Sequence, residues 1–175
     1  MVGISGSGKT TLGRVIADRL GVPFTELDSI FHQPGWRPLP EPEFRNRVAA
    51  KVAGESWVID GNYSAVRDLV WDRADTVVWF DLPRRTVMIR IIWRTLRRAV
   101  TRAELWNGNR EPPLGMFRIN PEVSVIRWAW LGHGRLHDRY TAAEADPANT
   151  HLTFIRIRSA ADADALLERL DSEPR

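Results

Sequence analysis

The chain of 175 residues contains no cysteine. That excludes disulfides and thiolate metal sites, and it fits a reducing compartment. Long apolar runs are also missing. The best stretches, 86–93 and 123–131, are broken by Arg90 and Arg127, so no ordinary membrane span is encoded. No leader pattern precedes the glycine-rich start, and a soluble cytoplasmic protein is expected. Internal repeats and low-complexity tracts are absent as well. An apolar fraction of 43% suffices for the core of one compact domain, expected to span 1–175. Lysine is almost absent: Lys9 and Lys51 stand beside 23 arginines. In so arginine-biased a chain a lysine marks a place where a compact point charge is wanted, which directs attention to Lys9.

Lys9 lies in GISGSGKT (3–10), which satisfies G-x-x-x-x-G-K-[ST] at every fixed position. Glycines at this spacing let backbone N–H groups turn inward around phosphate oxygens, and the helix that follows adds its positive end. The candidate nucleotide-binding residues are Gly3, Ser5, Gly6, Ser7, Gly8, Lys9, Thr10 and Thr11. Lys9 would reach the β- and γ-phosphates of ATP, and Thr10 would hold Mg²⁺. A dinucleotide fingerprint is a poor competitor, because glycines at 3, 6 and 8 lack its spacing.

Around the loop, apolar runs alternate with helical patterns. Strands are expected at 23–27, 56–60, 75–82 and 151–157, and helices at 8–20, 41–53, 84–104 and 121–132. A last helix opens on Ser159 and Asp162, which are spaced as a capping box. Such alternation predicts an α/β fold with a parallel sheet covered by helices on both faces. The turn-rich stretch 105–120 beside an arginine-rich helix suggests a lid over about 84–120.

Further absences narrow the class. No N/T-K-x-D element supports guanine specificity, and no LSGGQ-like signature supports a transport ATPase. Asp60 ends an apolar strand, as a metal-binding carboxylate should, but Gly61 follows where motor ATPases place a water-activating glutamate. Phosphoryl transfer to another acceptor is therefore favoured over hydrolysis.

WVIDGNYS (57–64) resembles the strand and D-G turn of adenylate-kinase-type enzymes, and 77–98 is similar to their fourth strand and the helix entering the lid. Within that group ELDSIFHQPGW, DGNYS and ELWNGNRE resemble the bacterial kinase-like proteins called DNA topology modulation proteins. The resemblance implies a three-layer P-loop NTPase fold of the nucleoside-monophosphate-kinase type. Such a fold has a five-stranded parallel sheet, helices on both faces and an arginine-rich helical lid. It also implies that Arg90 and Arg94 clamp nucleotide phosphates, Arg94 contributing to the ATP site and both acting in catalysis with Lys9. Arg90, Arg94, Arg97 and Arg98 share one helical face, and Arg97, Arg98 and Arg110 are the further lid candidates.

On the acceptor side, Asp28 follows the second strand at the edge where ligands bind in such sheets. A carboxylate there orients or deprotonates an acceptor hydroxyl. Asp28, His32, Asn62 and Arg67 are the acceptor candidates, with Thr10 and Asp60 for Mg²⁺. The acceptor is a small molecule, a nucleotide among the options. Nucleic acid is the weaker alternative, since it rests only on twelve arginines against four acidic residues between 84 and 139. A slow ATPase switch is a third reading. Finally, an adenylate-kinase-like sheet places the strand before the loop at its centre, yet only Met1 and Val2 precede Gly3. The expectation is a natural chain that starts several residues earlier, with an apolar run.

Overall fold

A computed structural model of the chain describes residues 1–101, 104–109 and 125–172, without the side chains of 99, 100 and 125–129. Two residues, β1 (Val2–Gly3), lead into the glycine loop. Helix α1 (Lys9–Leu20) starts on Gly8 and stops where left-handed Gly21 turns its N–H back to the Ala17 and Asp18 carbonyls. Its buried stripe of Leu12, Gly13, Ile16 and Ala17 has helical spacing. Next come β2 (Phe24–Glu26), a short α2 (Leu27–Phe31), and β3 (His32–Gln33) paired antiparallel with β4 (Arg37–Pro38). Helix α3 (Glu41–Val52) and β5 (Val58–Asp60) follow, then α4 (Arg67–Trp71) and β6 (Thr76–Phe80). The second half comprises α5 (Arg84–Thr101), α6 (Val125–Ala145), β7 (Thr153–Ile157) and α7 (Ala160–Ser172). Ser159 and Asp162 cap α7 reciprocally: Asp162 N–H donates to Ser159 Oγ, and Ser159 N–H to Asp162 Oδ2.

The five parallel strands do not form the one continuous sheet expected from the sequence. Strands β1, β6 and β7 make a three-stranded sheet in the order β1-β6-β7, and β2 pairs separately with β5. The two pieces meet at Met1, whose nitrogen donates to Ile59 O at 2.7 Å and whose carbonyl accepts from Gly61 N at 3.2 Å. The physical reason is shortness. Two hydrogen bonds of one residue span the seam, too few to make a ladder between β5 and β1. The antiparallel β3–β4 pair was not expected either.

Val77, Val78, Trp79 and Phe80 are all buried, so both faces of β6 are covered, as parallel strands require. One apolar cluster surrounds β1 and β6 with Leu12, Ile16, Val87, Ile91, Tyr140 and Leu166. A second joins α2, α3 and β5 through Leu27, Phe44, Val48 and Ile59. Beneath Met1 lies a cavity of about 620 Å³, lined by Leu20, Trp57, Val58, Arg67, Trp71 and Leu166 among others. Among the described residues no helix is long and apolar enough to cross a membrane.

Candidate active site

The loop between β1 and α1 sits where the C-terminal ends of β5 and β6 open. Gly6 is indispensable here: its φ is 79°, and a Cβ would lie 2.4 Å from Cγ1 of Ile91, the fully buried residue by which α5 supports the loop. Lys9 Nζ donates to the Ile4 carbonyl at 3.0 Å, folded back along its own loop. Burial pushes the Lys9 pKa below its ordinary value, while Asp60 and Asp28 pull in the opposite direction. Both carboxylates therefore act electrostatically on the ammonium that would hold transferring phosphates.

Thr10 Oγ1 donates to Asp60 Oδ2 at 2.5 Å. Asp60 is buried, and its second oxygen, Oδ1, has no hydrogen-bond partner. A buried carboxylate oxygen left over beside a hydroxyl fits a hard divalent cation such as Mg²⁺, which takes oxygen ligands. Arg90 Nη1 donates to the Ser7 carbonyl at 2.8 Å and Arg94 Nη2 to Ser5 Oγ at 3.0 Å. Of the arginine face on α5, these two reach the loop. Arg97 is exposed at the surface, Arg98 lies one turn beyond Arg94, and Arg110 lies outside the described residues.

Asp28, half-buried in the first turn of α2, accepts a 2.6 Å hydrogen bond from the Tyr63 hydroxyl. Burial and the Asp28 charge raise the Tyr63 pKa, so the phenol stays a donor. His32 Nε2 lies 3.5 Å from the same hydroxyl, and its Nδ1 is buried without a partner. The structure thus brings Asp28 and His32 together through Tyr63. It does not bring the other two acceptor candidates to them. Asn62 turns to Gly3, and Arg67 lies over the Trp71 ring, 5.5 Å from its centroid, lining the cavity beneath Met1.

Sequence reasoning overlooked several groups. Residues 104–109 lie across α2 and β3. Trp106 Nε1 donates to Glu26 Oε2 at 2.9 Å, and its ring stacks 6.1 Å from His32. Asn107 Nδ2 donates to the Ser29 and His32 carbonyls, and Asn109 Nδ2 to Gln33 O. Glu26 also pairs with Arg14. One signal was available: the chain has two tyrosines, and both hydroxyls land at this site, Tyr63 on Asp28 and Tyr140 on Asn62.

Comparison with known proteins adds an independent view. The family model for shikimate kinase matches residues 5–41, which hold the loop from Ser5 onward, α1, β2, α2, β3 and β4. The shikimate kinase of Symbiobacterium thermophilum is 33% identical over 152 residues, covering 78% of this chain and 83% of the relative. That of Synechococcus elongatus is 26% identical over 132 residues, covering 63% of this chain and 70% of its own. Among solved structures, a gluconokinase from Sinorhizobium meliloti 1021 aligns over 98% of this chain and 95% of its own, with a TM-score of 0.47 and 19% identity.

Proposed function

The chain belongs to the shikimate kinase family, and we propose that it transfers the γ-phosphoryl group of ATP to a hydroxyl of a small acceptor. The observation that carries this reading is the placement of two carboxylates, Asp60 and Asp28, around Lys9. One carries a free buried oxygen beside Thr10, and the other is oriented by Tyr63.

In this reading the loop amides, Lys9 and the flanking Ser5 and Ser7 cradle the phosphates of ATP. Thr10 and Asp60 would hold Mg²⁺, which neutralises charge on the phosphate oxygens. Asp28 orients the acceptor hydroxyl and takes its proton as the oxygen attacks the γ-phosphorus and the bond to the β-γ bridging oxygen breaks. Arg90 and Arg94 stand against the loop, where charge spreads over the transferring oxygens. In the same reading Arg97, Arg98 and Arg110 are the lid arginines. Beyond the family, the chain also resembles the kinase-like proteins called DNA topology modulation proteins, and we propose a likeness to them on the acceptor side. What supports this is that ELDSIFHQPGW and DGNYS supply Asp28, His32 and Tyr63.

The test incubates the protein with ATP and MgCl₂ against shikimate, sugar acids, neutral cyclitols, nucleosides and nucleoside monophosphates, scoring phosphorylated acceptor. We expect at least one acceptor to be phosphorylated, and Lys9→Ala to abolish the product while the fold survives. Equal turnover by Lys9→Ala, or ADP release without any phosphorylated acceptor, would overturn the reading.

A further inference from the structure

β5 ends at Asp60, and the chain then leaves the sheet, yet β1 continues to Gly3. In a parallel ladder the N–H and C=O of alternate residues point to the same neighbour. Met1 spends its pair on Ile59 and Gly61. Gly3, two residues on, points its pair the same way and meets no further strand. The Asn62 side chain stands there instead. Gly3 N–H donates to Asn62 Oδ1 at 2.9 Å, and Asn62 Nδ2 donates to Gly3 O at 2.6 Å.

A primary amide carries the donor and acceptor of a peptide, so this side chain extends the ladder by one residue. Its orientation is determined by the partners. Gly3 N–H can only donate and Gly3 O can only accept, which assigns Oδ1 and Nδ2 without ambiguity. From the far side the Tyr140 hydroxyl of α6 donates to Oδ1 at 3.0 Å. Burial pushes the Tyr140 pKa up to about 12, so it remains a donor at neutral pH.

Among the described residues, Asn62 is the partner of the Gly3 peptide on this side. The φ of Gly3 is 135°, and a Cβ would lie 2.7 Å from Phe80 O, so no side chain fits and only its polar atoms can fix it. The next residue, Ile4, offers the carbonyl on which Lys9 rests. The turn 60–63 thus touches three parts of the site in succession. Asp60 meets Thr10, Asn62 meets Gly3, and Tyr63 meets Asp28.

We propose that Asn62 is a positioning residue of the phosphate loop: it orients the Gly3 peptide and, through it, the segment that carries Lys9. The proposal rests on the nucleotide-binding reading above, and its test separates the two. The full chain is titrated with mant-ADP and MgCl₂ as wild type, Asn62→Ala and Asn62→Asp. Amide spectra without ligand are compared as well. Asn62→Asp keeps the size but has no N–H for Gly3 O, so both variants are expected to weaken mant-ADP at least tenfold while remaining folded. The Gly6 and Gly8 amide resonances should move, and those of α3 should stay. Wild-type affinity in either folded variant overturns the proposal, as do unmoved Gly6 and Gly8 resonances. If the wild type itself fails to bind mant-ADP, the nucleotide reading falls, and the ligand-free spectra still decide the role of Asn62. Where Asn62→Ala does not fold, Asn62→Asp provides the same decision.

Discussion

Lys9 is the residue at which stability and function pull apart. Burial lowers its pKa below the ordinary 10.5, and the attraction of Asp60 and Asp28 recovers part of the cost. The unfolded chain therefore holds this proton more tightly than the folded one. By linkage, stability rises with pH between the lowered value and 10.5, and the penalty is fully present below that window. Lys9→Met keeps most of the stem and removes the charge, at the loss of a hydrogen bond to Ile4 O of about 1 kcal/mol. We expect the nucleotide-free wild type to gain stability relative to Lys9→Met as the pH is raised from 7 toward 10. The variant should lose mant-ADP binding throughout. Parallel thermal melts across that range decide the matter. A difference that is flat, or that moves the other way, would show that the ammonium is not desolvated in the folded state.

At the scale of elements, the short segment 104–109 ties itself to the proposed acceptor side by side-chain bonds to Glu26, Ser29, His32 and Gln33. Asn107 sits at φ 57°, a left-handed conformation that asparagine tolerates, and its amide donates to the carbonyls of Ser29 in α2 and His32 just past its end. Asn107→Ala removes both contacts, and we expect a local rather than global effect. Amides of 104–109 should exchange about tenfold faster, in line with a loss of roughly 1–2 kcal/mol. The melting temperature should change little. Unchanged exchange there would mean that Trp106 on Glu26 suffices to hold the segment.

This element also shows what was legible beforehand. GISGSGKT is readable because its glycine spacing dictates its own conformation, and the expected strands lie within two residues of β2, β5, β6 and β7. Contacts such as Tyr63–Asp28 and Trp106–Glu26 join residues 35 and 80 apart, so no local pattern announces them. From the sequence Asn62 reads as an acceptor group, yet a polar residue after a strand end serves a ligand or a backbone equally well. Only the position of Gly3 distinguishes the two. Four of the parallel strands were legible, but the β3–β4 pair and the continuity of the ladder were not, the latter because it depends on how far β1 reaches beside β5.

At the scale of the whole molecule, the seam at Met1 and the two apolar clusters divide the fold between the proposed ATP (donor) side and the proposed acceptor side. The loop, Lys9, Arg90 and Arg94 stand on the cluster of β1, β6, α1 and α5, whereas Asp28 and His32 stand on that of α2, α3 and β5. Val70 packs against both. Phe44 is 1% exposed at the centre of the second cluster, where its ring meets Phe31 and Tyr63 edge-on at about 5 Å. Removing such a side chain typically costs 3–5 kcal/mol, or about that, through lost burial and the cavity left behind. If the clusters are separate units of stability, Phe44→Ala should not spread that loss evenly. We expect amides of Glu41–Val52 to lose protection well before those of Thr76–Phe80, and mant-ADP affinity to stay within about threefold of wild type, a change of roughly 0.7 kcal/mol. Phosphoryl transfer should fall much further, because Tyr63 and Asp28 lose their backing. A uniform loss of protection across both groups of amides would instead mean that the seam transmits stability as a continuous sheet does, and that donor and acceptor halves unfold together.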